Sequence, residues 1–159
     1  MSSCQPKPDL TTITTGAACQ LPYLGHLLNR AAHEVGQQAD VDLKPLGIRV
    51  KHYMILLLLT QVGAALPQKE IGERLQIDRN TMVSLIDELE ARQLVDRVRD
   101  PHDRRAYAIS VTTQGCAVTT QAGRVIEATD ARFAQALTAA ELQQLVGLLS
   151  KLLCSTADR

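Results

Sequence analysis

Between Asp78 and Thr112 the chain changes from one hydrophobic periodicity to another across a charged turn, and few architectures accommodate that order. Met82, Val83, Ile86 and Leu89 recur near the helical spacing, which predicts a helix burying those four and turning Asn80, Thr81, Ser84 and Glu88 outward. Asp78 suits the N-cap of that helix. Leu94 to Arg99 then alternates Leu and Val against Asp and Arg, and Tyr107 to Val111 alternates likewise, so two short strands are expected. Asp100, Pro101, His102 and Asp103 between them are turn-forming residues, followed by Arg104 and Arg105. A polar helix face beside a cationic hairpin tip fits a reader of both grooves of a duplex.

The flanks are helical. Residues 1–17, with two prolines, Gly16 and a Thr-rich run, lack steady periodicity and read as a flexible tail. From Leu21 a stripe forms through Leu24, Leu28, Ala31 or Ala32, and Val35. After Pro45 and Gly47, Val50 to Val62 is apolar on nearly every side and predicts a helix packed in the interior. Ala64 to Leu66 is expected to form a very short strand, and Gln68 to Leu75 a short helix with Ile71 and Leu75 inward. Gln76 and Ile77 form the turn before Asp78. Thr112 or Thr113 caps a long helix running to about Leu137, and Thr138 with Glu141 makes a capping box for the last one. That last helix carries Leu142, Leu145, Leu149 and Leu152 in one stripe, widened by Val146, Leu148 and Leu153. Terminal helices with more apolar surface than one copy can bury predict a two-fold dimer.

Composition limits the function. A chain of 159 residues can bury roughly two-thirds of its unfolded surface. Its hydrophobic content is aliphatic, with no Trp and one Phe, so Leu, Ile, Val and Ala must build the core. Seventeen basic residues balance seventeen acidic ones, so any polyanion binding must come from local placement of charge. No signal peptide is visible, and the longest apolar run, Met54 to Leu59, falls far short of the about 20 residues a membrane span needs. Cys4, Cys19, Cys116 and Cys154 are scattered without a paired motif, as in a reduced, cytoplasmic protein. Glycine-rich phosphate loops, nucleophile elbows and His-Glu-x-x-His motifs are all absent, so an enzyme is not expected, nor is a cofactor.

Taken in order, these segments resemble the MarR family of bacterial transcription regulators over about residues 20–155. The stretch from Asp103 through Arg104, Arg105 and the apolar strand to Thr112 is similar to the family's wing signature, and Gln68 to Leu75 with Ile77 to Thr81 is similar to its helix-turn-helix. The implied fold is mainly α with a small β-wing: a winged helix-turn-helix at 46–112, an N-terminal dimerisation helix at 18–45 and C-terminal dimerisation helices at 113–159. Two departures stand out. Pro67 replaces the usual Ser or Thr cap of the first motif helix, which proline at a helix start tolerates. Gln93 stands where the family often has glycine after the recognition helix; if that position is left-handed, it costs on the order of 1 kcal/mol.

The resemblance implies a homodimeric, sequence-specific binder of double-stranded, pseudo-palindromic DNA, a repressor by default. Arg79, Asn80, Thr81 and Ser84 would enter the major groove, where Arg suits guanine and Asn suits adenine. Arg104 and Arg105 would read the minor groove from the hairpin tip, with Asp103 orienting the Arg105 guanidinium. Glu88 would mark where the helix leaves the groove, because an anion repels phosphate. Relatives respond to small aromatic or phenolic ligands, for which Tyr23, His26, Arg49, His52 and Tyr53 are candidates. A competing idea is thiol-based oxidant sensing through Cys19 near the first helix start, with Cys116 and Cys154 as buried fillers. His26, His33, His52 and His102 lack tight ligand spacing, so no metal site is expected. A winged-helix protein-interaction module is the other alternative, and the arginine-bearing hairpin separates it from a DNA binder.

Overall fold

The computed structural model describes residues 23–99 and 107–157. In chain order it holds α1 (Leu24–Leu43), a 3₁₀ turn (Lys44–Leu46), α2 (Val50–Val62), β1 (Leu66–Pro67), α3 (Gln68–Leu75) and α4 (Arg79–Ala91). These are followed by β2 (Val95–Arg99), β3 (Tyr107–Val111), α5 (Thr113–Phe133) and α6 (Ala139–Ala157). The strands make one antiparallel sheet in the order β1-β3-β2, with Leu66 opposite Ile109 and Val95 opposite Val111. Among the described residues no helix is long and apolar enough to cross a membrane. The expected tail at 1–17 lies outside the described residues.

One apolar cluster joins α2, α3, α4 and the sheet: Ile55, Leu56, Leu59, Ile71, Met82, Ile86, Leu89, Val95 and Ile109 are all buried, with Ala122 of α5 against them. Each such aliphatic side chain contributes roughly 1.5–3 kcal/mol on removal from water. It is the cluster an aromatic-poor chain must build. Helix α2 buries one face through His52, Ile55, Leu56 and Leu59, while Met54 and Val62 reach the surface, so it is not enclosed all round as its composition predicts. It stops at Gly63, whose φ of 67° lets its N–H close on the Leu59 carbonyl at 3.0 Å.

Several boundaries move. The first strand is Leu66–Pro67, later than expected, because it is these two residues that pair with Ile109 and Ala108. Helix α5 ends at Phe133, where Ala134 closes on Asp130 and the chain turns before the expected Leu137. Thr112 is its cap, accepting the Gly115 N–H at 2.9 Å. In α4, Leu85 is buried and Val83 is 40% exposed, the reverse of the expected assignment. Stripes through 82, 83, 86, 89 and through 82, 85, 86, 89 both fit helical spacing, and packing against α2, α3 and β2 selects the second. In β2, Val95 faces the core and Val98 is exposed, since residues three apart lie on opposite faces of a strand.

Helix α6 begins as read, with Thr138 and Glu141 exchanging hydrogen bonds in a capping box. From Ala139 to Cys154 every described side chain except Leu149 is exposed, including Leu145, Val146, Leu148 and Leu152. Leu24 and Leu28 of α1 are exposed too. Cys154 is exposed rather than a buried filler, as is nearly all of α6 around it, and Cys116 is half-buried.

Candidate nucleic-acid interface

Helix α4 starts where its sequence directs. Gln76 takes a left-handed conformation (φ 53°), and Ile77 closes back on the Gly72 carbonyl at 2.9 Å, which ends α3 and reverses the chain. The Asp78 carboxylate then accepts the N–H groups of Asn80 (3.1 Å) and Thr81 (3.0 Å). Bonds from Thr81 hold that carboxyl below its ordinary range, with Asn80 adding to them. The cap leaves Arg79, Asn80 and Ser84 exposed and Thr81 half-buried on the first turns. The Ser84 hydroxyl lies 3.4 Å from the Asn80 carbonyl and remains available to another partner. All four sequence-predicted residues thus share the N-terminal turns of one helix, and Val83 joins them at the surface.

The carboxylates of α4 are all engaged. Arg97 of β2 bonds to Glu90 at 2.5 Å and to Asp87, which ties the ribbon to the helix. Glu88 does not simply trail away from the groove: Arg49 binds both its oxygens through Nη2, at 3.0 and 2.9 Å. At the other end of the ribbon Arg99 lies opposite Tyr107, its guanidinium 5.5 Å from the ring centroid. Asp103, Arg104 and Arg105, with His102, lie outside the described residues, and so does Cys19.

The five ligand candidates do not gather around one crevice. Tyr23 and His26 meet each other at the start of α1, with ring centroids 6.2 Å apart. Tyr53 points its hydroxyl toward Gly123 of α5. Arg49 and His52 are committed to the end of α4, through Glu88. A large cleft does open elsewhere, between α3, α4 and the ribbon, lined by Pro67, Ile77, Arg79, Met82, Val83, Arg97 and Tyr107. Among the described residues no three His, Cys, Asp or Glu side chains cluster to hold a metal ion.

Arg97, Asp87 and Glu90 are absent from the sequence-based site. The available signal was the i,i+3 pair of acids on the outer face of a helix followed by an arginine in the next strand. The Arg49–Glu88 pair carried no such local signal.

A model of the MarR family matches residues 46–106. Among solved structures, apo MarR from E. coli is 25% identical, with 82% of this chain and 97% of that one covered and a TM-score of 0.74. The transcriptional repressor CouR bound to a 23-mer DNA duplex is 28% identical, with 82% and 92% covered and a TM-score of 0.74. CouR from Rhodococcus jostii RHA1 bound to p-coumaroyl-CoA is 29% identical, with 81% and 90% covered and a TM-score of 0.69. With its helix-turn-helix, three-stranded sheet and long flanking helices in this order, the chain has the fold of the MarR-family winged helix-turn-helix transcription regulators, and its residues 46–106 match that family's model.

Proposed function

We propose that the protein is a homodimeric repressor that binds a pseudo-palindromic operator in double-stranded DNA and releases it when a small aromatic or phenolic ligand binds. The observation that carries this reading is the capped start of α4, which offers Arg79, Asn80, Thr81 and Ser84 together beside a ribbon whose connecting sequence contains Arg104 and Arg105. Arg79 has guanine or a phosphate within its chemistry, Asn80 an adenine edge, and the two hydroxyls either. The arginines at the turn suit a narrow minor groove, held by Asp103. CouR, at 28% identity, has been solved on a DNA duplex, which supports the same use of the shared fold here.

Dimerisation follows from α6 and α1, whose exposed leucines need a second copy to cover them. Each dimer would place two α4 helices about one helical turn of DNA apart. If it neutralises roughly 6–10 phosphates, affinity falls about 10³–10⁵-fold between 50 and 200 mM salt. For the ligand, the cleft beside α4 supplies the required chemistry: Met82, Val83 and Tyr107 for a ring, Arg79 and Arg97 for an acid. An acid lodged there competes directly with the duplex. CouR's complex with p-coumaroyl-CoA supports an aromatic acid derivative as the ligand class.

The test is Arg104→Ala with Arg105→Ala in the full chain. DNA retention in a gel-shift assay should be abolished while light scattering still reports a dimer. Undiminished retention would point instead to a protein-interaction module. Calorimetry across a panel of aromatic acids tests the ligand, and silence across the panel removes that part of the proposal.

A further inference from the structure

We propose that His52 is a positioning residue for DNA binding: it seats α4 through Glu88 and so links operator affinity to the protonation of its imidazole. The inference rests on the DNA-binding reading above. His52 is 1% exposed, at the junction of three helices. Its Nδ1 accepts the Arg49 N–H at 3.2 Å, which caps the first turn of α2. Its Nε2 is buried and has no hydrogen-bond partner among the described residues, yet stands 3.3 Å from a Glu88 carboxylate oxygen. With Nδ1 accepting, the proton of the neutral ring sits on Nε2, near that carboxylate but not hydrogen-bonded to it.

The charged groups around the ring are Arg49 at the α2 cap, Glu88 and Arg92 from α4 and its end, and Asp40 from α1. Asp40 accepts the Val50 N–H at 2.7 Å, so α1 and α2 share the same corner. Burial pushes the imidazole down from its usual range; Glu88 opposes this, and Arg49 and Arg92 add to it. A proton taken from solvent must go to Nδ1, the only nitrogen with a free electron pair. The new N–H then faces the Arg49 N–H, and two donors cannot bond. The cap of α2 opens, and the new cation draws Glu88 away from Arg49. Because Glu88 lies on the recognition helix, the helix loses the seat that fixes its approach to DNA.

The experiment uses the full-length dimer and a duplex selected at pH 8 from a randomised library. Fluorescence anisotropy is followed from pH 8 to 5.5 at fixed ionic strength for the parent, His52→Asn and Glu88→Gln. Asn can still accept the cap hydrogen bond but does not titrate. The parent should lose affinity about tenfold more than His52→Asn between pH 7.5 and 5.5, with the other three histidines common to both. In Glu88→Gln the loss should shift to lower pH, because the stabilising anion is gone. By reciprocity, saturating duplex should lower the pKa of the His52 resonance followed by NMR, which a purely structural histidine would not show. Parallel curves for parent and His52→Asn, or a relative gain of affinity in acid, overturn the proposal. Should His52→Asn fail to fold, the Glu88→Gln shift and the NMR titration decide it. A parent that selects no duplex at pH 8 overturns the DNA-binding reading, and this inference with it.

Discussion

Gln93 closes α4 in the left-handed region at φ 60°, with its N–H on the Glu90 carbonyl at 2.8 Å and the Leu94 N–H on Leu89 at 3.0 Å. That pattern favours glycine, so Gln93→Gly should raise stability by about 0.5–1 kcal/mol, read as an increase in melting temperature. Gly115 sets the opposite constraint. A Cβ there would stand 2.1 Å from the Leu94 carbonyl oxygen, which is backbone and cannot yield. Gly115→Ala should cost about 3 kcal/mol in chemical denaturation. His52 contributes to the pH dependence of the folded state in the range where histidine titrates. Its pKa is depressed on folding, so between that value and the unfolded 6.5 the unfolded chain binds more protons. Stability is therefore full above about pH 6.5 and declines as pH falls through the folded value, and melting curves of His52→Asn should lack that decline.

The contact between ribbon and recognition helix belongs to the element scale. Arg97→Met removes the bonds to Asp87 and Glu90, which should cost about 1 kcal/mol because the carboxylates are largely exposed. The effect on duplex affinity should be larger, since two uncompensated anions then stand on the helix that approaches phosphate. Adding Asp87→Asn and Glu90→Gln should restore part of that affinity in a filter-binding titration. Much at this scale was readable from sequence. The bounds of α3, the Asp78 and Thr112 caps, the capping box at Thr138 and the second wing strand all depend on neighbours a few residues apart, and such signals survive in a linear string. The side of α4 on which Val83 falls did not, because two stripes satisfy the same spacing until other elements pack against one. The Arg49–Glu88 pair was out of reach, and the acids flanking Arg97 in sequence were a signal too weak to fix its partners. Each charge has several opposite charges available along the chain, and only the tertiary fold selects among them.

At the scale of the molecule, α6 is a helix with its apolar residues uncovered. Leu145→Glu with Leu148→Glu should leave the circular dichroism spectrum of each protomer intact, since both side chains are already exposed. Light scattering should report a monomer, and binding to a two-half-site duplex should fall to the level of a single half-site. The corner at Leu94 has a mechanical consequence. Its carbonyl accepts the Thr112 N–H at 3.1 Å, the Thr112 hydroxyl reaches the Gln93 carbonyl at 2.8 Å, and Gly115 presses against the same peptide. The root of α5 and the root of the ribbon are thereby one rigid joint. A helix of 21 residues is about 30 Å long, so a tilt of roughly 5° about that joint sweeps its far end through about 3 Å. Leverage runs both ways along such an arm: a nudge of atomic size where two protomers clasp becomes a change of aim at the hairpin.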